Sequence, residues 1–287
     1  MKVLLTGASG FLGKAVMQRL VDAHDVVGLS HSQSLSGLAK CDIRDAHALC
    51  AVLDAHSPDI VVNSAAYRDP DTCEEDPAEC VRLNVTPVET LCGHLPRETR
   101  VIQISTDYVF DGDSPPYTEE SATKPLSEYG RSKVSAEHIV AQRTGSATLR
   151  IPVLVGAAPS LAESGYIGRL ISVVREKNPS TLDDVHVRYP TWIEDVAQAI
   201  AFLIDIQAEG IFHCSGPTPG TQYAAAQEVA AVIGEDAGHL TPSTESVPRK
   251  AKRPRNSQLA TDKIRALGFT RFTEFKDVVR HVVAAFD

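Results

Sequence analysis

Tyr129 and Lys133 stand four residues apart in Tyr129-Gly130-Arg131-Ser132-Lys133. On a helix that spacing puts both side chains on one face. An ammonium placed there lowers a phenol's pKa and can hydrogen-bond a ribose. The phenol can then protonate a carbonyl oxygen as hydride reaches its carbon. The spacing alone is weak, and a purely structural surface Tyr and Lys would show it too. It gains weight from the upstream segment that ends in Ser105-Thr106, where a hydroxyl can polarise the same oxygen. Thr106 is preferred for that role over its neighbour Ser105.

A second group lies at the start: Thr6-Gly7-Ala8-Ser9-Gly10-Phe11-Leu12-Gly13, directly after an apolar run. Gly7 permits a tight strand-to-helix turn, and Gly10 lets a pyrophosphate approach the backbone. Gly13 lets the helix pack close to the sheet, and the helix N-terminus favours an anion. The alternative is a tight turn in a fold that binds no cofactor. Selection between NAD and NADP is read at the end of the second strand, where NAD sites usually carry an acid. Here the stretch is Leu29-Ser30-His31-Ser32-Gln33. Ser30, His31 and Ser32 offer donors for a 2′-phosphate and nothing repels it, so NADP is favoured and NAD is the alternative.

These groups need a scaffold, and the apolar periodicity supplies one. Strands are expected at Lys2–Thr6, Val26–Leu29, Ile60–Val62, Val101–Ser105 and Ala147–Ile151. Helical patterns alternate with them: from Gly10, over Asp45–Ala55, over Asp76–Leu95 with Pro87 set to kink it, and over Tyr129–Gln142. Strands alternating with helices give a parallel sheet covered on both faces, a doubly wound Rossmann-type α/β fold. After Pro152 the rhythm changes. Helices are expected at Tyr166–Glu176, Trp192–Ile206, Gln222–Ile233, Thr261–Leu267 and Phe272–Phe286, with one strand at Gly210–Cys214. The reading is a dinucleotide-binding domain over residues 1–152. A smaller, mainly helical substrate region spans 153–190 and 217–287, and 191–216 returns to the first domain.

Composition narrows the partners. The 287 residues carry 28 Lys+Arg against 37 Asp+Glu, a net charge of −9. Broad nucleic-acid or anionic-membrane binding needs a basic footprint, so neither is expected. No apolar run approaches the ~20 residues that span a bilayer, and no secretory segment fits the N-terminus. Six scattered cysteines without a Cys-x-x-Cys pair read as reduced thiols of a cytoplasmic protein. No His/Cys/carboxylate spacing suggests a metal site.

Together the glycine motif, the hydroxyl-ended strand and the Tyr/Lys pair resemble the extended short-chain dehydrogenase/reductase superfamily. Ile104-Ser105-Thr106-Asp107-Tyr108-Val109-Phe110-Asp111-Gly112, then Pro116-Tyr117 and Pro125-Leu126, sharpen this to the dTDP-4-dehydrorhamnose reductase family. Val62-Asn63-Ser64-Ala65-Ala66-Tyr67 and Arg253-Pro254-Arg255-Asn256-Ser257-Gln258-Leu259 add to it. The stretches Tyr67-Arg68-Asp69-Pro70-Asp71, Leu149-Arg150-Ile151-Pro152 and Arg188-Tyr189-Pro190-Thr191 also resemble the regulatory β subunit of methionine adenosyltransferase, a member of the same family.

The resemblance implies an NADPH-dependent reductase of a 4-keto nucleotide-deoxysugar. Thr106 would orient the carbonyl, Tyr129 would give the proton, and Lys133 would hold ribose and tune Tyr129. It implies cofactor contacts at Asp42, Ile43, Ala65, Ala66, Tyr67, Asn84 and Ile151, and substrate contacts at Thr106, Val109, Phe110, Thr191, Arg253 and Asn256. Bland readings stand beside several: a helix N-cap for Asp42, close packing for the alanines, a structural helix role for Asn84, a solvated loop for Arg253 and its basic neighbours. The second likeness implies a regulatory NADP-binding protein partnered by a methionine adenosyltransferase catalytic subunit. The helical faces of 76–95 and 129–142 could support a homodimer, as is common in the superfamily, and a core-facing role explains the same pattern.

Overall fold

The computed structural model describes residues 1–31, 37–245 and 249–286. Ser32 and Gln33 of the cofactor-selecting stretch lie outside them. Seven strands form one parallel sheet: β1 (Lys2–Thr6), β2 (Asp25–Ser30), β3 (Leu38–Lys40), β4 (Ile60–Asn63), β5 (Arg100–Thr106), β6 (Ala147–Ile151) and, later in the chain, β10 (Gly210–His213). Their order is β3-β2-β1-β4-β5-β6-β10. The order reverses between β1 and β4, whose register pairs Leu5 with Val62 and Thr6 with Asn63. Ligands of such sheets bind in the crevice at that reversal, beyond the strands' carboxyl ends.

Helices α1 (Phe11–Leu20), α2 (Ala46–His56), α3 (Pro70–Glu75), α4 (Pro77–Asn84), α5 (Thr86–His94) and α6 (Glu128–Ala141) belong to this half. Beyond β6 come β7 (Leu154–Val155), α7 (Gly165–Glu176), β8 (Ser180–Asp183), β9 (Thr191–Trp192) and α8 (Ile193–Asp205). After β10 follow α9 (Gln222–Ile233), β11 (Leu240–Ser243), α10 (Asp262–Ala266) and α11 (Phe275–Ala284). β7 pairs with β9, and β8 with β11.

The apolar strands are continuous because both sheet faces are covered. Val3, Leu5 and Val62 join the side of α1 and α8, with Val16, Leu20, Val196 and Ile200. Leu4 and Val61 join the opposite side, with Leu49, Leu53, Leu91 and Ala136 of α2, α5 and α6. A third cluster joins α7, α9 and α11 around Ile171, Val229 and Val279. Burial of this kind stabilises by roughly 1.5–3 kcal/mol per large aliphatic side chain.

Caps mark the helix starts. Asp45 accepts from the backbone N–H groups of His47 and Ala48 at 3.0 and 3.1 Å, so Asp45, not Asp42, caps α2. The pattern over 76–95 divides into α4 and α5, with Pro87 in the first turn of α5. Its ring lacks the N–H that a continuous helix would need.

The cysteines depart from the expectation of reduced thiols. Cys73 and Cys80 form a disulfide, and Cys41, Cys50, Cys92 and Cys214 are free. α3 and α4 are short and meet at the Asp76 cap, which brings the two Cα atoms to 5.1 Å. Seven residues of separation across two helices do this, a spacing with no local sequence signature.

The chain from 251 to 260 returns across the sheet's mouth. The Ala251 N–H donates to Asp71, Ser257 Oγ to Asp107, and the Ala260 N–H to the Tyr117 carbonyl. Isolated bridges join Tyr117 to Leu259 and Val187 to Asn256.

Candidate active site

A cavity of about 810 Å³ opens at the carboxyl ends of β1, β2, β4, β5 and β6, within the range of small-molecule sites. Gly7, Ser9, Gly10, Phe11, Leu12 and Gly13 form one wall. Gly7 has φ +67°, a left-handed conformation that suits glycine. A Cβ on Gly13 would sit 2.0 Å from the Gly7 carbonyl oxygen, so only glycine lets α1 approach the turn. Gly10 caps α1 without any side-chain hydrogen bond, leaving its N-terminus to face the cavity. That arrangement fits the pyrophosphate of a dinucleotide.

His31, Asp42, Ile43, Ala65, Ala66, Tyr67 and Ile151 line the same cavity. Ser30 and Asn84 do not; both stand buried behind it. Ser30 Oγ donates to Ser9 Oγ at 3.1 Å. Asn84 accepts from the Tyr67 N–H at 2.8 Å and donates to its carbonyl at 3.1 Å and to Ser132 Oγ at 3.0 Å. Asn84 therefore holds the backbone that presents Tyr67. Asp42 is paired with Arg44 at 2.8 Å, whose guanidinium holds its carboxyl down at about 2. Arg44 also reaches Glu79 at 2.7 Å and lies 3.1 Å from His31 Nε2.

Thr106, Tyr129 and Lys133 all line this cavity. Ser127 caps α6 through the Gly130 N–H, fixing the turn that carries Tyr129. Thr106 Oγ1 donates to Asp107 Oδ1 at 3.1 Å and lies close enough to the Tyr129 phenol to act on it. Burial pushes that phenol up, so it stays protonated through the neutral range. Burial pulls the Lys133 ammonium down to about 8, against the upward pull of Glu137 one turn later on α6. Ser105 Oγ donates to Glu137 Oε1, so that hydroxyl is committed to the scaffold. Thr106 remains beside the phenol. Glu137 is held in turn by Arg150, which lies 3.4 Å from His213 Nε2 and over the Phe110 ring.

The arrangement can position a carbonyl oxygen against Tyr129 Oη and Thr106 Oγ1, with a cation behind them. Residues 1–287 match the family described as the RmlD substrate binding domain. The chain belongs to that family.

Among relatives, the β subunit of methionine adenosyltransferase 2 from Mus musculus is 34% identical over 291 residues, 97% of this chain and 86% of that protein. A probable dTDP-4,6-dihydroxy-2-methyloxan-3-one 4-ketoreductase from Streptomyces antibioticus is 33% identical over 98% of this chain and 94% of its own. The solved structure of a dTDP-4-dehydrorhamnose reductase from Clostridium acetobutylicum superposes with a TM-score of 0.88 at 28% identity, covering 100% of this chain and 99% of that one. The fold is thus the Rossmann-type α/β fold of these reductases.

The cavity wall of this family member differs from its sequence-based expectation. Val109 and Phe110 are fully buried outside the cavity, Phe110 stacked on Tyr117 with centroids 4.1 Å apart. The tight helical turn over Asp107–Val109 that follows β5 carries both inward. Thr191 is buried too, its hydroxyl donating to the Tyr189 carbonyl and accepting from the Gly216 N–H. Asn256 stands outside the cavity, accepting from the Gln258 N–H. Arg253 does line the cavity, but Asp71 holds it through both Nη atoms at 3.0 and 2.8 Å.

Other residues take the wall: Tyr108, Tyr166, Asp183, His186 and Arg188. None was singled out as a site residue from the sequence. Tyr108 was visible within the Ser-Thr-Asp-Tyr segment, and Arg188 within Arg-Tyr-Pro-Thr. Tyr166 sits on an amphipathic helix that gives no chemical signal. Among the described residues no group of three His, Cys, Asp or Glu side chains can hold a metal, and no helix is long and apolar enough to cross a membrane.

Proposed function

We propose that the protein is an NADPH-dependent reductase of a 4-keto nucleotide-deoxysugar. The meeting of Thr106, Tyr129 and Lys133 beside an uncapped, glycine-lined helix N-terminus carries this reading. NADPH, when bound, supplies the hydride. Tyr129 Oη gives its proton to the carbonyl oxygen as negative charge develops there, and Thr106 Oγ1 orients that oxygen. The Lys133 charge stabilises the phenolate that Tyr129 leaves behind. Gly7 to Gly13 receive the pyrophosphate, and Asp42, Ile43, Ala65, Ala66, Tyr67 and Ile151 bound the rest of the dinucleotide.

The choice of NADP over NAD rests on the missing acid after β2 and on Arg44. That arginine stands 3.1 Å from His31 and supplies a guanidinium that the β2 end itself lacks. The cytoplasm is the expected compartment. A homodimer would use the outer sides of α4 and α6, since their inner faces pack on each other.

The decisive assay follows NADPH oxidation with a dTDP-4-keto-6-deoxysugar. Tyr129→Phe is expected to lower kcat by ~10²–10⁴-fold. Equal rates in the two proteins would overturn the role given to Tyr129.

A second reading is favoured by the relatives at 34% identity: an NADP-binding regulatory partner of a methionine adenosyltransferase catalytic subunit. Stable co-purification with such a subunit, with no turnover of keto-sugars, would establish it instead.

A further inference from the structure

The Cys73–Cys80 disulfide is more than an isolated staple. Both side chains are buried, yet the two residues wall a small cavity of about 150 Å³ together with Tyr67, Thr72, Asp76 and Glu79. Tyr67 also lines the large cavity, so the two spaces share one residue. The smaller one is several times the ~30 Å³ share of a water in the liquid, room for a thiol and the carbons that carry it.

Helix α4 joins the disulfide to the cofactor wall at three points. Cys80, in its first turn, is bonded to Cys73 of α3. Its neighbour Glu79 pairs with Arg44 at 2.7 Å, and Arg44 lines the large cavity. Asn84, one turn after Cys80, donates to Cys80 Sγ at 3.4 Å, to Ser132 Oγ at 3.0 Å and to the Tyr67 carbonyl at 3.1 Å. Ser132 Oγ in turn donates to the Tyr129 carbonyl at 2.7 Å. Helix α3 has six residues and α4 eight. Helices so short depend on what clamps them.

The sulfur itself takes part in that hydrogen-bond set. In the disulfide, Cys80 Sγ carries no proton and can only accept from Asn84. As a thiol it becomes a donor, with Ser132 Oγ 3.6 Å away. Asn84 has two N–H bonds for three acceptors within reach, so a change at one re-divides the other two. The node that fixes the Tyr67 backbone therefore differs between the oxidised and the reduced chain.

We propose that Cys73 and Cys80 form an exchange site for small-molecule thiols, and that their reduction loosens the grip on the cofactor through Asn84 and Tyr67. A thiolate entering the small cavity attacks one sulfur, and the Cys73–Cys80 bond breaks. A mixed disulfide forms while the other cysteine leaves as thiolate, and a second thiol resolves it. Two electrons pass to the protein, the two thiol protons end on Cys73 and Cys80, and the reductant departs as its disulfide. This rests on the dinucleotide site of the reductase reading and makes no use of the sugar.

The test measures NADPH affinity by calorimetry on the whole protein before and after dithiothreitol, a reductant that leaves the four free cysteines unchanged. Reduction is expected to weaken binding at least about fivefold, the low end of coupling between sites. Linkage makes the effect reciprocal. Saturating NADPH should therefore shift, by the same factor, the ratio of reduced to oxidised dithiothreitol at which half the disulfide is open, read by alkylation. Cys73→Ser should bind NADPH like the reduced wild type and ignore dithiothreitol, with circular dichroism checking that every form is folded. Equal affinity of the folded oxidised and reduced wild type overturns the proposal and leaves the reductase reading standing. So does a disulfide that stays closed to dithiothreitol until the chain unfolds. NADPH binding to neither form overturns the proposal and that reading together.

Discussion

Arg150 and Glu137 form a buried two-bond ion pair one helical turn beyond Lys133, with Nη2 2.7 Å from Oε2 and Nε 3.0 Å from Oε1. Both side chains are almost wholly removed from water. Such a pair contributes little net stability, but losing one partner strands a charge and costs about 3–5 kcal/mol. Arg150→Met is expected to destabilise by that amount in urea unfolding. The double variant with Glu137→Met should recover much of the loss. If the single variant unfolds like the wild type, the pair is not buried as described.

The same carboxylate bears on pH dependence. Burial brings the Lys133 ammonium down to about 8, and the proposed mechanism uses its charge at the phenol, so kcat/KM is expected to fall as pH rises through about 8. Glu137 holds the proton on Lys133, so Glu137→Gln should move that limb to lower pH. Stability behaves oppositely. The folded lysine releases its proton at a lower pH than the unfolded one at 10.5, so between about 8 and 10.5 the unfolded chain binds more protons. This group's contribution to stability then rises with pH, by up to ~1.4 kcal/mol per unit. Rate profiles and unfolding midpoints across that range separate the two effects.

The disulfide makes a countable prediction. Alkylation of the unfolded, unreduced protein should label four cysteines, and six after reduction. Closing so short a loop stabilises by roughly 2–3 kcal/mol in the chain-entropy account. Dithiothreitol is expected to lower the urea midpoint accordingly. Six labelled thiols without reductant would refute the pairing.

Arg44 is expected to read the cofactor's 2′-phosphate. Arg44→Ala should lower the ratio of kcat/KM for NADPH to that for NADH about tenfold, a loss of ~1.4 kcal/mol. Taking the ratio cancels any shared damage through Asp42. An unchanged ratio would place the selection elsewhere.

The parts legible in the sequence are those written in local spacing. The glycine turn, the Tyr129/Lys133 face and the split at Pro87 each depend on residues within a single turn or helix. The rest of the cavity wall was not legible, because its chemistry arises across long separations. Arg253 looked free in a basic run, yet its partner Asp71 is 182 residues away in the chain. Val109 and Phe110 sat in the most telling motif, but the tight helical turn after β5 put them into the core. Arg188 reaches the cavity while donating to the Pro254 carbonyl, 66 residues away in the chain. The Cys73–Cys80 pair likewise needed two helices to fold before the thiols met.

The strand-like return of residues 251–260 binds the far end of the chain to the first half. Asp71, Asp107 and Tyr117 all find partners there. Cutting the chain before that return would strand the buried Asp107 and leave Arg253's counterion bare. Neither half is built for independent existence. The molecule should melt in a single cooperative event, surrendering the whole cavity with it, and limited proteolysis should yield the intact chain or peptides, with no lasting half-molecule between them.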